Sequence, residues 1–335
     1  MKLNNLQILR GISALLVCCF HFKEVLNFDA NSWGEKFFIK GSIGVPIFFV
    51  ISGYIMVFST KKIAHTNVLR NIRAFFKKRI IRIVPLYYLL TFAWMFLSGS
   101  LIYFLNVNET VKLPKSLLFL PIKNEFPILY LGWSLNYEMF FYFIFALSLI
   151  FKKFRYFFTI LVFVVLIGLG LTFSFENAFL RMITDFLNLY FIIGVLLGLF
   201  LEKIPKRKSL MFIYCIFSIF LFTLYFFNIL PVHNQFLVLA VISLFVAAFL
   251  IFDLFLEIRA NSFLKMLGDI SYSIYLSHPF VEIFFRRFQP ESPTLIVLLF
   301  IIKLAVVIII SKLLYEIVEK KFTNYLKNNF IPHLK

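Results

Sequence analysis

The sequence predicts an all-α fold: a polytopic integral membrane helix bundle of about ten transmembrane helices, with both termini cytoplasmic. Three observations predict it. The 335-residue chain is 61% hydrophobic, with a mean hydropathy of +0.92, against about 45–50% apolar for an ordinary soluble domain. Apolar runs of about twenty residues, the length that crosses a hydrocarbon core, recur from end to end. Basic residues crowd into alternate loops, as cytoplasmic loops require.

The spans read, in order, as 8–27, 41–59, 80–105, 131–151, 156–174, 179–201, 209–229, 236–256, 268–285 and 294–317. The ninth is short and interrupted by His278-Pro279. The second connection and the start of the third span hold Lys61, Lys62, Arg70, Arg73, Lys77, Lys78, Arg79 and Arg82. Lys152, Lys153 and Arg155 follow the fourth span, and Lys203, Lys206, Arg207 and Lys208 the sixth. Arg259 and Lys265 follow the eighth, and the tail adds Lys320, Lys321 and Lys327. The intervening loops are poorer in cations, which places the even-numbered loops and both termini inside. Topology also accounts for the formal charge of +18, so nucleic acid is excluded as a partner.

No repeat, low-complexity tract or linker interrupts the chain, and residues 1–335 read as a single transmembrane domain. The first apolar run lacks a small-residue cleavage site and reads as a retained span, not a signal peptide. Cys18, Cys19 and Cys215 lie inside apolar runs and read as small hydrophobes. No Cys/His cluster has metal-ligand spacing. The sequence leaves oligomeric state open.

Five stretches carry chemistry. In LRGISALLVCCFHF, Arg10 and His21 are eleven residues apart. That is close to three helical turns, so they share a stripe and stand roughly 16 Å apart. Arg10 alone fits a snorkelling arginine at a helix end, and His21 alone fits a hydrogen-bonded packing residue. Intramembrane ionisable groups are otherwise functional candidates. In KKRIIRIVPLYY, Arg79 and Arg82 share a helical face at i, i+3. Paired guanidiniums suit phosphates, although cytoplasmic anchoring explains the charge alone. In LGWSLNYEMFFY, Trp133 marks an interface, and Glu138 lies roughly 7 Å deeper. A carboxylate at that depth suits fixing the tautomer of a histidine.

GSIGVPIFFVISGYIM holds Gly44, Ser52 and Gly53, small residues that permit close helix approach; Tyr54 suits packing or function equally. LGDISYSIYLSHPF places His278 mid-membrane beside Pro279, where core packing and function are equally open. Ser52, Tyr54, Trp133, Ser134 and His278 are secondary candidates. Asp185, Asp253 and Lys303 are intramembrane ionisable residues without a motif.

Taken together these stretches resemble acyltransferase family three, the bacterial membrane O-acyltransferases of surface carbohydrates. The matching elements are LRGISALLVCCFHF (R-x10-H), GVPIFFVISGY, RIIRIVPLYY (R-x2-R-I-x-P), WSLNYEMFFY (W-S-L-x-x-E) and LGDISYSIYLSHPF. They occur in the family's order and span most of residues 6–320. Pro46 stands where many members carry an acidic residue after GV, so no role carries over there. The chain resembles the stand-alone membrane form. The resemblance implies an acyl-CoA donor, often acetyl-CoA, and a glycan hydroxyl as acceptor, at the bacterial inner membrane. It places importance on Arg10, His21, Arg79, Arg82 and Glu138.

The expected mechanism combines both lines. Acyl-CoA phosphates meet Arg79, Arg82 and Arg10. The thioester reaches His21, which acts as general base or takes the acyl group covalently. Glu138 orients it, with the glycan approaching from outside. A transporter or flippase of a lipid-linked glycan or small acid is the rival class. It predicts inverted repeats and paired Gly/Pro-broken spans, which are absent, and gives no reason for arginine pairs.

Overall fold

Ten long helices follow one another in the computed structural model, which describes residues 3–27, 32–61, 63, 67–106, 111–205 and 207–330. They are α1 Asn4–Phe22, α2 Gly44–Thr60, α3 Val68–Leu97, α4 Gly132–Ser148, α5 Arg155–Thr172, α6 Asn188–Phe200, α7 Lys208–Phe226, α8 Gln235–Leu254, α9 Ser271–Phe285 and α10 Pro293–Leu314. No β-strand occurs among the described residues. Among the described residues, eight helical runs are long and apolar enough to cross a membrane, which makes this a multi-pass membrane protein. One of the eight, Gly132–Thr172, contains both α4 and α5. Its break lies at Lys152, whose φ of 49° no helix continues through. At 15 residues α9 is shorter than a span. Lys62 and Lys206, read above as loop cations, lie outside the described residues.

Local chemistry moved several boundaries. The third span was expected at 80–105, but α3 begins at Val68 and ends at Leu97. Arg70, Arg73, Lys77 and Lys78 are therefore on a helix and not in a loop. Gly99 stops α3 with a φ of +67°, while Ser100 N–H turns back to Met95 O at 3.0 Å. The sixth span, expected at 179–201, is split into Ala178–Ile183 and α6. The Asn188 amide donates to the carbonyls of Met182, Ile183 and Asp185, occupying acceptors that a continuous helix would use. Arg155, expected in a loop, is buried; its guanidinium donates to Thr60 O at 2.8 Å and lies over the Tyr156 ring.

The chain divides into two units: Met1–Tyr54 with Leu196–Leu313, and Ile55–Val195 with Leu314–Lys335. In the first, α1 is the centre. It packs on α8, α9 and the short helix Ser262–Asp269. The approach to that helix is backbone to backbone. A Cβ on Gly11 would lie 2.8 Å from Gly268 N, and one on Gly44 would run into Ser13 O. Small residues let helices gain dispersion contact where lipid gives no hydrophobic drive between them. Phe222 of α7 stacks on Phe245 of α8 at 3.7 Å. In the second unit α3 packs on α4, and α4 on α5. Phe141 of α4 stacks on Phe191 of α6 at 4.4 Å.

The amino end of α1 is tied by a carboxylate from α8. Asp253 accepts from the backbone N–H groups of Asn5 and Leu6, each at 2.9 Å, and from the Asn5 amide at 3.0 Å. These are helix-end donors that have no partner within the helix itself, and a negative group complements their dipole. Asp253→Ala is expected to cost about 1–3 kcal/mol, measured as a lower unfolding temperature in detergent.

Candidate active site

Two clusters of polar side chains sit inside the helices, one in each unit. The first lies along α1. Arg10 is half-buried near its amino end, where its guanidinium donates to Gln7 Oε1 at 3.1 Å. Gln7 in turn donates to Asp269 Oδ1 at 2.8 Å. The relay Asp269–Gln7–Arg10 holds the arginine through hydrogen bonds, so more than snorkelling determines its direction.

Three turns on, the His21 ring lies 5.0 Å from the ring of His278, centroid to centroid. His278 belongs to α9 and is fully buried. Its Nδ1 is 3.3 Å from Ile274 O, while its Nε2 has no hydrogen-bond partner among the described residues. The two expected histidines, far apart in sequence, thus form one imidazole pair. Phe20 and Phe22 flank the pair with their ring edges.

Charged residues lie nearby on the same and neighbouring helices. Lys303 of α10 is 1% exposed, pairs with Glu282 of α9, and lies 4.4 Å over the Phe22 ring. Glu282 is one turn beyond His278, on the same face of α9. Lys23 is also buried and bridges Glu24 at 2.7 Å and Glu35 at 2.6 Å. Lys303, ranked low on sequence for want of a motif, is held by Glu282 and packs on Phe22, which flanks the pair. A lysine and a carboxylate on different helices, 21 residues apart, leave no local spacing to detect, whereas the His278/Glu282 spacing was readable.

The second cluster joins α3 to α4. The Arg79 guanidinium carbon lies 5.0 Å from the Tyr142 ring centroid and 5.5 Å from that of Phe75. The Tyr142 hydroxyl donates to Glu138 Oε1. The chain Arg79–Tyr142–Glu138 is buried on the tyrosine and half-buried at its ends. Arg79 Nε is buried and has no hydrogen-bond partner among the described residues. Arg82 is exposed. The two arginines therefore differ: one is held against aromatic faces, the other is open to a ligand. Tyr142 lay within the WSL stretch and was not singled out; its i+4 relation to Glu138 was the available signal.

Trp133 is half-buried at the start of α4, its ring 6.0 Å from Tyr137 in an edge-on arrangement. Ser134 is buried and donates to Leu131 O at 3.2 Å, a bond inside its own helix turn. Ser52 is half-buried and Tyr54 is 1% exposed, both on α2. His21 and Glu138 belong to different units. Asp185 accepts from Leu187 N–H at 2.7 Å and is hydrogen-bonded to Tyr137. No group of three or more His, Cys, Asp or Glu side chains fit to hold a metal occurs among the described residues.

Imidazoles and a lysine–carboxylate pair in one unit, and a tyrosine-bridged arginine in the other, lie among the apolar helices of a multi-pass membrane protein. Comparison with known proteins places it: the chain belongs to acyltransferase family three, whose model, described as an acyltransferase domain, matches residues 3–316. It is similar to the exopolysaccharide production protein ExoZ of Rhizobium meliloti (strain 1021), with 32% identity over 260 residues, covering 75% of this chain and 79% of that protein. No solved structure gives a significant match. The protein is a membrane acyltransferase.

Removing one member of the Lys303–Glu282 pair leaves a desolvated charge. Lys303→Met is expected to destabilise the fold by about 3 kcal/mol, and adding Glu282→Gln to recover most of that loss. Thermal unfolding of the two single variants and the double variant gives the coupling directly.

Proposed function

We propose that this acyltransferase moves an acyl group, acetyl from acetyl-CoA first among the candidates, onto a hydroxyl of a cell-surface glycan or lipid-linked sugar. The observation that carries the reading is the arrangement along α1. A tethered arginine stands at one end and a paired histidine three turns on. The acyltransferase family supports acyl transfer, the exopolysaccharide name of its relative supports a glycan acceptor, and the CoA donor is what the motif resemblance implies. The protein works in the bacterial inner membrane, its helices crossing the bilayer many times, with both termini inside.

His21 acts as the general base. An imidazole nitrogen takes the proton from the acceptor hydroxyl, whose oxygen attacks the thioester carbonyl carbon. The new C–O ester bond forms as the C–S bond breaks. The departing thiolate of CoA receives the proton from the imidazolium, which returns His21 to its starting state. His278, packed against it, keeps the ring from rotating and supplies a second imidazole to the pocket. Phe20, Phe22 and the surrounding apolar residues keep water from competing with the acceptor hydroxyl. In the second unit, Arg79 and Arg82 are the groups suited to the phosphates of the donor. Glu138 is the carboxylate of that same cluster and accepts from the Tyr142 hydroxyl.

His21→Ala is expected to lower acyl transfer by about 10²–10⁴-fold with the protein still folded in the membrane. Labelled acyl-CoA and purified enzyme measure it, and near-normal turnover would remove His21 from the chemistry. Arg79→Ala and Arg82→Ala are each expected to raise the KM for acyl-CoA about tenfold or more, with a smaller change in acceptor KM. Thioester consumption dependent on glycan also separates this reading from transport, which consumes no thioester.

A further inference from the structure

We propose that the second unit carries a sugar-binding subsite at the amino end of α4, distinct from the imidazole pair and from the arginine cluster. It is a cavity of about 350 Å³, within the range of small-ligand sites. Its walls are Trp133, Asn136 and Tyr137 of α4, Arg181 and Asp185 from the segment leading into α6, and the segment 121–127.

Asn136 points to a ligand. It is 3% exposed, lines the cavity, and its Oδ1 has no hydrogen-bond partner among the described residues. A buried carbonyl left without a donor costs stability. Such a group persists where a ligand supplies the donor. The other walls show what kind of donor. Asp185 uses its carboxylate for Leu187 N–H and Tyr137, and a carboxylate has about four lone-pair positions. Arg181 is exposed at the rim and offers donors. Trp133 and Tyr137 present aromatic rings. Acceptors, donors and aromatic faces in one small space match a sugar ring, whose hydroxyls both give and take hydrogen bonds and whose C–H face packs on aromatic rings. An apolar acyl chain would leave Asn136 and Asp185 unanswered. A nucleotide phosphate would face Asp185 with like charge.

The subsite deepens the glycan reading above and rests on it: it holds part of the acceptor and does no chemistry itself. Asn136→Leu replaces the orphan carbonyl by hydrocarbon of similar size. A merely structural asparagine would lose stability on this change. A ligand-binding one keeps or gains it and loses affinity.

The test uses purified full-length protein and fragments of the source cell's surface polysaccharide, stripped of O-acyl groups by mild base. Fragment binding, acyl-CoA KM and thermal unfolding are measured for wild type, Asn136→Leu and Arg181→Gln. The expected result is fragment affinity at least tenfold weaker in Asn136→Leu and several-fold weaker in Arg181→Gln. Acyl-CoA KM stays unchanged, and the unfolding temperature is equal or higher for Asn136→Leu. Wild-type fragment affinity in both variants overturns the subsite and leaves the transferase reading standing. If Asn136→Leu does not fold, undiminished affinity in Arg181→Gln overturns it. Wild-type protein that neither binds nor acylates the fragments overturns both.

Discussion

A single carboxylate ties down the amino end of α1. Asp253 takes the N–H groups of Asn5 and Leu6, donors that the helix cannot satisfy and that lipid cannot hydrate. Everything proposed for the first unit hangs from that helix. With its end fixed and Gly11 seated against Gly268, α1 cannot slide or rotate without a backbone clash. Arg10 and His21 are then carried to set positions by the 1.5 Å rise per residue.

The same demand for internal partners explains the other charges inside the helices. Lys303 pairs with Glu282, Arg155 with the Thr60 carbonyl, and Asn188 with three carbonyls. None of these is a solvated face. In hydrocarbon the alternative to pairing is several kcal/mol per group, so each polar side chain recruits partners even at the expense of helix continuity. The break before α6 is such a case, and it also brings Arg181 and Asp185 to the cavity beside Asn136.

The two clusters differ in charge type. Around α1 the groups are two imidazoles and a lysine–carboxylate pair. Around α3 and α4 a guanidinium rests on Tyr142 and Phe75, and Arg82 is exposed. A planar, weakly hydrated guanidinium stacks on aromatic rings with less desolvation cost than an ammonium, which is why arginine and not lysine occupies that place.

The sequence by itself determined the class. Hydropathy marked the apolar runs because crossing lipid demands about twenty apolar residues. The R-x10-H spacing put Arg10 and His21 on one stripe because helical geometry is local. The five ordered motifs identified the family. It also placed Glu138 one turn from Tyr142, though the partner was not singled out. Only the tertiary structure decided which distant residues meet. The pairing of His21 with His278, of Lys303 with Glu282 and of Asp253 with the start of α1 spans up to 257 residues of chain. No periodicity encodes such contacts; they follow from which helices pack side by side. Helix ends at Gly99 and Asn188 likewise depended on φ values and side-chain bonds that hydropathy does not see. Asn136 shows the difference most plainly: in sequence it is one polar letter between Leu135 and Tyr137, and only the structure shows it buried, without a partner for its Oδ1, beside a cavity.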